Sequence, residues 1–415
     1  MDEKTFLLSV KEHGGTAYLV GGCVRDMLMN LAPNDRDYVV CGLSENDFCA
    51  LFPKAFKVGG GFPVFLLEID KEMCEVSLAR RELKNGTGYR GFAALFDPSV
   101  TIEDDLFRRD TTMNSMAWNP LSSALTDPYG GKKDIEARLV RAVSDSFRED
   151  PVRALRAARQ AAQFGFSIDA FTISLMKETL PELLEEPKER IVAELKRALM
   201  CAKPSLFFRF LRASSLLRPL FPDIYGLIGK RQAIEYHPEG DAFEHTMMIL
   251  DYAAGISPRV EVRFAALMHD IGKSRTPDEM LPHHYGHEDR GLSVMREIRA
   301  SMPISKNWYS CACFAIKEHM RTSKMTAPGK VVDLLVKLSK SAIGADGFAA
   351  VIAADNGGSL PDCLINYDKY MRAIKQAHET AIPEKLEGRE ISEWMRQREI
   401  QFYKKAANDN SPHLV

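Results

Sequence analysis

The sequence predicts a chain of two structural kinds, an α/β or α+β region at the N-terminus and all-α regions beyond it. Over roughly the first 140 residues, short β-type runs alternate with glycine-rich turns. From Ile135 onward, apolar residues recur at the three- and four-residue spacing of helices. A second helical stretch, from Phe243 to about residue 350, is rich in histidine. A length of 415 residues is enough for about two to four domains.

The strand predictions rest on β-branched and aromatic residues, which favour extended backbone. The predicted strands are Tyr18–Val20, Tyr38–Cys41, Val64–Ile69 and Glu75–Ala79. In the next region, Pro181, Pro187, Pro204 and Pro219 divide the helical pattern into several helices.

These patterns predict four segments. They are a mixed head at 1–140, a helical neck and body at 141–235, a histidine-rich helical domain at 236–360 and a helical tail at 361–415.

Composition describes an ordinary globular protein, with 45% hydrophobic and 27% charged residues and a formal net charge of −2. A nucleic-acid partner would therefore need a local basic face. No apolar run approaches the ~20 residues of a membrane helix, and the acidic N-terminus does not resemble a signal peptide. The eight cysteines form no CxxC pair. We expect a cytoplasmic protein with reduced thiols and no membrane association.

Asp35 and Asp37 carry the first chemical signal. At positions i and i+2 of a predicted strand, the two carboxylates face the same side, roughly 6.6 Å apart along the chain. Such a pair can share a hard divalent cation such as Mg²⁺. Taken by themselves, the two aspartates favour a solvated turn at a strand start.

The run Gly21-Gly22-Cys23-Val24-Arg25-Asp26 lies just upstream. A glycine pair between a strand and a helix lets backbone N–H groups approach a phosphate, and Arg25 adds a forked cation. Together with the two aspartates, this run predicts phosphoryl or nucleotidyl transfer. No G-x-G-x-x-G occurs there, which argues against a nicotinamide dinucleotide site.

Two arginine clusters follow. Arg108 and Arg109 precede Asp110, a pattern suited to a triphosphate and a ribose hydroxyl, or to a charged helix face. After Asp150 and Pro151, arginines recur at every third position, at Arg153, Arg156 and Arg159. The Ala and Leu residues between them indicate a packed helix, so the basic ridge should line a groove.

In this order, Gly-Gly-x-Val-Arg-Asp, Asp-x-Asp, Arg-Arg-Asp-x-Thr-x-Asn and Glu-Asp-x-x-Arg resemble the motifs of the class II tRNA nucleotidyltransferases, the CCA-adding enzymes. The resemblance covers about residues 15 to 165. It implies an α+β fold with a polymerase-β-type head, followed by an all-α neck and body. Thr112-Met113-Asn114-Ser115-Met116 departs mildly from the usual Thr-Ile-Asn-Ala-Met.

The resemblance implies a role for each matching residue. Asp35 and Asp37 would be catalytic and hold Mg²⁺, with Glu75 as the candidate third carboxylate. Gly22, Arg25 and Arg109 would contact the phosphates of ATP or CTP, Asp110 the ribose, and Asp150 and Arg153 the base. Arg156 and Arg159 would complete the nucleotide pocket.

The histidine-rich region resembles the HD phosphohydrolase superfamily. The motif is His269-Asp270-Ile271-Gly272-Lys273, with His245 one helix earlier. The resemblance implies a divalent transition metal such as Ni²⁺, held by His245, His269, Asp270 and Asp355. His283, His284 and His287 are additional candidates for metal or phosphate contacts. Where the family often has a second His-Asp pair, this chain has Lys317-Glu318-His319-Met320.

The order of head, arginine-rich helices and HD domain is similar to that of the bacterial CCA-adding enzymes that carry an HD domain. It implies tRNA, ATP and CTP as partners, a monomer or a homodimer, and phosphatase and 2′,3′-cyclic phosphodiesterase activities that repair tRNA ends. The alternatives are a bacterial poly(A) polymerase, an HD-containing uridylyltransferase and a non-catalytic tRNA-binding protein. A binding module would have no use for Asp35, Asp37 and Arg109 together.

Overall fold

The structure is a computed structural model that describes residues 1–33, 35–58, 64–84, 86, 92–235 and 237–409. The chain divides into two compact units, Met1–Leu220 and Phe221–Val415. The four-segment division is finer than this and stays a prediction. Among the described helices, none has both the length and the hydropathy that crossing a bilayer requires.

The first unit is built on a mixed sheet. Its strands are β1 (Thr16–Val20), β2 (Asp37–Cys41), β3 (Phe56–Val58), β4 (Val64–Ile69), β5 (Glu72–Leu78), β6 (Arg80–Lys84), β7 (Phe92–Phe96), β8 (Ala117–Asn119), β9 (Ala124–Thr126), β10 (Leu139–Val140) and β11 (Ser167–Ile168). Within the described residues, seven of them form one sheet in the order β3-β4-β5-β2-β1-β8-β9. β2 and β5 are parallel, whereas β1 pairs with β2 and β8 antiparallel. All four predicted strands are confirmed, with small shifts at their ends.

The helices of the first unit cover the sheet and continue as the neck. They are α1 (Glu3–Glu12), α2 (Gly22–Leu28), α3 (Glu45–Leu51), α4 (Ile102–Phe107), α5 (Gly131–Glu136), α6 (Val152–Phe164), α7 (Ala170–Glu178), α8 (Leu180–Glu185), α9 (Lys188–Leu199), α10 (Ser205–Ala213) and α11 (Leu217–Leu220). Pro187 and Pro204 directly precede α9 and α10, as predicted. The neck also contains a two-residue parallel ladder, β10 with β11, that its helical pattern did not predict.

Two hydrophobic cores lie on opposite faces of the sheet. Tyr38 and Val40 of β2 pack into the core beneath α1 and α3. Val39 points the other way and packs with Ile102 and Leu106 of α4. Because side chains alternate along a strand, Asp37 lies on the same face as Val39. The Asp37 carboxylate therefore lies on the face of the sheet that α4 covers.

The second unit is helical. Its helices are α12 (Pro222–Tyr225), α13 (Ala242–Ile256), α14 (Val260–Met268), α15 (His287–Ser301), α16 (Lys306–Thr322), α17 (Pro328–Ser339), α18 (Gly344–Asp355), α19 (Asp362–Ile365), α20 (Tyr367–Ala377) and α21 (Arg389–Asn408). Buried residues of α13, α14, α16, α17 and α18 form a continuous core, against which α20 and α21 pack. The predicted tail is thus helical, and residues 410–415 lie outside the described part.

Candidate active sites

Asp37 is the first residue of β2, and the parallel register pairs it with Glu75 of β5. Asp35 lies two residues before the strand and is exposed. The predicted pair of carboxylates therefore lies at the N-terminal end of β2, with only Asp37 inside the strand. Burial and the neighbouring Glu75 carboxylate raise the pKa of Asp37 to about 6, with a smaller contribution from Asp35 and an opposing one from Arg109. Three carboxylates and one guanidinium thus share a single electrostatic environment.

The glycine turn between β1 and α2 is shaped around two arginines. Gly21 has a φ of +72°, a region that L side chains rarely adopt, and a Cβ there would lie 3.0 Å from Nη1 of Arg109. A Cβ on Gly22 would lie 3.4 Å from Nη2 of Arg25. The missing side chains therefore leave room for both guanidinium groups at the end of β1.

Arg25 is buried and already well paired. Its Nε and Nη2 donate to Oδ1 of Asp26 at 2.9 and 2.7 Å, and its Nη1 donates to Oδ1 of Asn114 at 2.7 Å. The guanidinium also lies over the ring of Phe164, 4.6 Å from the centroid. Arg25 thus ties the glycine turn to the neck helix α6 in this structure.

Asp105, which sequence reasoning did not single out, holds the Arg108-Arg109 pair. Its fully buried carboxylate accepts from Nη2 of Arg108 at 2.8 Å and from Nη2 of Arg109 at 3.0 Å. Burial opposes ionisation, but the two guanidinium groups outweigh it and lower the pKa of Asp105 to about 2. An acidic residue three and four positions before an arginine pair, within one helical turn, is the signal that could have identified it.

The buried carboxylate of Asp110 accepts hydrogen bonds from several residues. One oxygen accepts from Nε of Arg156 at 2.8 Å and from Nε2 of Gln160 at 3.1 Å. The other accepts from the backbone N–H of Thr111 at 2.8 Å and from Nδ2 of Asn114 at 3.2 Å. These donors, Arg156 above all, hold the pKa of Asp110 far below its usual range despite its burial. Asp110 thus links the head to α6 in this structure. The predicted contact with a ribose hydroxyl would have to use a lone pair of the Asp110 carboxylate that these four donors leave available.

The predicted base-reading residues lie at the start of α6. Asp150 accepts from the backbone N–H of Val152 at 3.2 Å and from Nη2 of Arg190 at 3.5 Å. Arg153 is buried and donates to the carbonyl oxygens of Ser146 and Arg108, at 2.8 and 2.7 Å. Arg153 thus fixes the loop that carries the Arg108-Arg109 pair.

The two remaining arginines of the ridge differ in exposure. Arg156 keeps 41% of its side chain exposed, whereas Arg159 is largely covered and pairs with Glu194 of α9 at 2.8 Å. The ridge is therefore packed, as the Ala and Leu between the arginines predicted, and two of its three arginines, Arg156 and Arg159, pair with carboxylates. Arg156 is its most accessible member.

In the second unit, all four predicted HD residues converge. Nε2 of His245 lies 3.1 Å from Oδ1 of Asp355, and Nε2 of His269 lies 3.2 Å from Oδ2 of Asp270 and 3.6 Å from Oδ1 of Asp355. They come from α13, the end of α14 and the last residue of α18. Burial opposes protonation of His269, but the Asp270 and Asp355 carboxylates raise its pKa.

The hydrogen bonds of these histidines fix their tautomers. Nδ1 of His269 lies 2.7 Å from the carbonyl oxygen of Ala266, and Nδ1 of His245 lies 2.5 Å from Oε1 of Glu239. Both acceptors require a proton on Nδ1, so the neutral form of His269 has its lone pair at Nε2. Nε2 of His245, by contrast, is hydrogen-bonded to Oδ1 of Asp355 at 3.1 Å. Nε2 of His269 is buried and makes no hydrogen bond. An orphaned imidazole nitrogen among carboxylates fits a divalent transition metal.

Two neighbours complete this region, and sequence reasoning gave neither a role in it. Glu239, just before α13, orients His245. Lys273 is buried, and its Nζ lies 2.6 Å from Oδ2 of Asp270 and 2.5 Å from Oε1 of Gln232. Lys273 thus offsets part of the negative charge at that oxygen.

The additional histidine candidates separate in the structure. His283 is exposed and stacks on Tyr285, with ring centroids 5.4 Å apart. His284 binds Oγ1 of Thr276 and the carbonyl oxygen of Arg231, and burial lowers its pKa to about 4. His287, by contrast, reaches Asp270.

Three family models match separate parts of the chain. Residues 17–141 match the "Poly A polymerase head domain", residues 165–227 the "Probable RNA and SrmB- binding site of polymerase A", and residues 242–346 the "HD domain".

Relatives and solved structures agree with the family matches. The chain is 44% identical over 309 residues to the multifunctional CCA protein of Paracidovorax citrulli, covering 73% of each chain. It is 39% identical over 393 residues to that of Acinetobacter baylyi, covering 91% of this chain and 94% of the relative. A solved apo CCA-adding enzyme shares the fold with a TM-score of 0.67 at 21% identity, over 100% of this chain and 94% of that one. The Bacillus stearothermophilus CCA-adding enzyme in complex with CTP gives 0.57 at 22% identity, over 98% and 93%.

Proposed function

The chain belongs to the multifunctional CCA protein family, and from that premise we propose that its head adds C, C and A to the tRNA 3′ end from CTP and ATP. The observation that carries this proposal is the junction of β1, β2 and α4. There the Asp35, Asp37 and Glu75 carboxylates share the field of Arg109, which lies against the glycine turn.

This junction has the parts that nucleotidyl transfer needs. Oxygen donors alone, at the entrance of a strand, suit Mg²⁺. A divalent ion held by Asp35 and Asp37 would lower the pKa of the tRNA 3′-hydroxyl and offset charge on the phosphates. Arg109, held in place by Asp105, supplies a fixed cation for the triphosphate.

Base selection would use the start of α6. Asp150 and Arg153 offer a carboxylate and a guanidinium, which together can satisfy a cytosine or an adenine edge. In this structure Arg153 is held by backbone carbonyls, and Asp150 by a backbone N–H and by Arg190. Base reading therefore requires part of these hydrogen bonds to be exchanged for bonds to the nucleotide.

The test is nucleotide addition to a tRNA that lacks its 3′ CCA, with Mg²⁺ and each nucleotide singly and together. We expect two C additions followed by one A, and a loss of at least about a thousandfold in Asp37→Asn because a metal ligand is removed. Glu68→Gln is the matched control, since Glu68 is an exposed carboxylate on β4 of the same sheet. A long adenosine tract would support a poly(A) polymerase instead, and unchanged activity in Asp37→Asn would contradict the proposed site.

For the second unit we propose a metal-dependent phosphohydrolase that acts on phosphate monoesters and 2′,3′-cyclic phosphates at tRNA ends. Its support is the buried cluster of His245, His269, Asp270 and Asp355, whose imidazole donors suit a transition metal such as Ni²⁺. His269→Ala should abolish hydrolysis of a 2′,3′-cyclic phosphate, whereas His283→Ala, which removes an exposed stacking histidine, should not. Equal rates in the two variants would contradict this assignment.

A further inference from the structure

A cavity of about 410 Å³ lies in the second unit, between the end of α16, the loop that follows it and α17. Its volume is within the ~300–1,000 Å³ range of sites that bind small ligands. The charged side chains that line it are four cations and two carboxylates, namely Arg321, Lys324, Lys330, Lys337, Glu318 and Asp333. The excess of cations predicts an anionic ligand.

Both carboxylates of the cavity already have cationic partners. Glu318 is buried, with 3% exposure, and accepts from Nε of Arg321 one helical turn later on α16. Asp333 of α17 accepts from Nε and Nη2 of Arg396, at 3.0 and 2.9 Å, and this arginine belongs to α21. The acidic charge in the cavity wall is therefore offset, and the charges of the lysines remain.

Lys324 and Lys330 provide most of this remaining charge. Both residues are exposed, and within the described ranges neither ammonium group makes a hydrogen bond or an ion pair. A lysine ammonium is a compact point charge with three donors, which suits a phosphate group. The first turn of α17 also lines the cavity, and its N-cap residue Ala327 makes no side-chain capping bond there. The helix dipole thus adds to the positive potential of the lysines.

The cavity lies beside the proposed phosphohydrolase site. Asp355 is one of the four residues of that site, and Asn356 follows it in the chain. Nδ2 of Asn356 donates to Oγ of Ser323 at 2.8 Å, and Ser323 directly precedes Lys324. Two neighbouring anion sites within one unit suit a ligand that carries two phosphate groups.

We propose that this cavity is an RNA subsite, in which Lys324 and Lys330 bind the last phosphodiester of a strand whose terminal phosphate occupies the phosphohydrolase site. The proposal rests on the proposed phosphohydrolase and specifies its substrate class as RNA ends rather than free mononucleotides. A 2′,3′-cyclic mononucleotide has one phosphate and cannot occupy both positions. An RNA strand presents two phosphates on neighbouring nucleotides, and its backbone binds to cationic grooves.

The experiment compares hydrolysis of two substrates by the full-length protein in the presence of Co²⁺. One substrate is a 2′,3′-cyclic mononucleotide, and the other is a trinucleotide that ends in the same cyclic nucleotide. We expect kcat/KM to be on the order of tenfold higher for the trinucleotide, because its last phosphodiester gains charge-assisted hydrogen bonds. The ratio of the two kcat/KM values should fall by on the order of tenfold in the double variant Lys324→Ala/Lys330→Ala. Lys340→Ala removes an exposed lysine just after the other end of α17, and this matched control should keep the wild-type ratio.

A substrate with a neutral backbone gives an independent readout. Replacing the last phosphodiester of the trinucleotide by a methylphosphonate keeps its length and bases and removes one charge. The wild type should hydrolyse this analogue with the kcat/KM of the mononucleotide, and the double variant should show no further loss. For the charged trinucleotide, the log–log salt dependence of kcat/KM should be steeper in the wild type than in the double variant, by roughly 0.7 for one bound phosphate.

The outcomes separate the subsite from the phosphohydrolase. Hydrolysis of both substrates, with a ratio that is the same in the wild type and the double variant, would overturn the subsite and retain the phosphohydrolase. No hydrolysis of either substrate would overturn both. A preference for the trinucleotide that survives the methylphosphonate replacement would also contradict the subsite.

Calorimetric titration of the metal-free protein with inorganic phosphate distinguishes the source of the anion. We expect the double variant to bind inorganic phosphate as the wild type does, because the subsite requires the strand. Phosphate binding that is lost in the double variant, together with an unchanged substrate ratio, would assign the cavity to free phosphate and overturn the RNA subsite.

Discussion

Replacing Asp105 by Asn should destabilise the first unit by about 2–3 kcal/mol. The variant keeps the shape of the side chain and removes the charge that binds Arg108 and Arg109 at 2.8 and 3.0 Å. A pKa lowered from 3.8 to about 2 corresponds to this free energy, at ~1.4 kcal/mol per pKa unit. Breaking a fully buried pair typically costs ~3–5 kcal/mol. The lower figure applies because both arginine side chains keep 17–18% exposure and can bind water.

Urea unfolding of the first unit measures this effect. Trp118 lies on β8, whereas Trp308 and Trp394 lie in the second unit, so a background of Trp308→Phe and Trp394→Phe makes fluorescence report on the first unit. Glu103→Gln is the control, because Glu103 is an exposed acid on the same short helix. We expect a change of less than about 0.5 kcal/mol for it.

The pH dependence of the stability difference between wild type and Asp105→Asn tests the ion-pair explanation. The pKa of Asp105 is lower in the folded protein than in the unfolded chain, so its stabilisation is complete above about pH 4 and is lost as pH falls towards 2. The difference between wild type and Asp105→Asn should therefore be constant from pH 7 to 5 and narrow at pH 3. A difference independent of pH, or no larger than that of the control, would refute the ion-pair reasoning.

Three further predictions follow from the two sites. Gly21→Ala puts a methyl group 3.0 Å from Nη1 of Arg109 at a φ of +72°, so the KM for ATP and CTP should rise on the order of tenfold, equivalent to ~1.4 kcal/mol. Gly130→Ala, with a φ of +75° and no atom within 4 Å, carries a similar backbone strain and should leave KM unchanged in the same steady-state assay. Glu239→Gln should weaken Co²⁺ binding to the HD unit by ~10–100-fold in a calorimetric titration, because the carboxylate orients the histidine of α13; equal affinity would contradict that role. Mn²⁺ binding to the head should strengthen as pH rises through 6, because a proton competes with the ion at Asp37, whose pKa burial raises to about 6; an affinity that is flat between pH 5 and 7.5 would contradict it.

The sequence was sufficient for the donor types and their order along the chain. The glycine turn, the Asp35-Asp37 pair, the arginine clusters and the His-Asp motif are local patterns whose chemistry follows from residue identity. The four strands were predicted from β-branched and aromatic residues and the helical regions from apolar periodicity, and both signals are local. The short β10–β11 ladder was missed because two-residue strands carry no periodic signal.

What the tertiary structure alone decided is which of these groups meet. Register places Glu75 beside Asp37. Packing also decides that Asp105 is fully buried, whereas its pairing with Arg108 and Arg109 follows from the local three- and four-residue spacing. The sequence predicted a guanidinium at Arg153 that reads the base. In the folded chain this guanidinium donates its hydrogen bonds to two backbone carbonyl oxygens. Likewise, His319 comes to Oδ1 of Asp270 from a separate helix. The physical reason is that residue type fixes what a side chain can bind, whereas helix packing and strand register fix what it does bind.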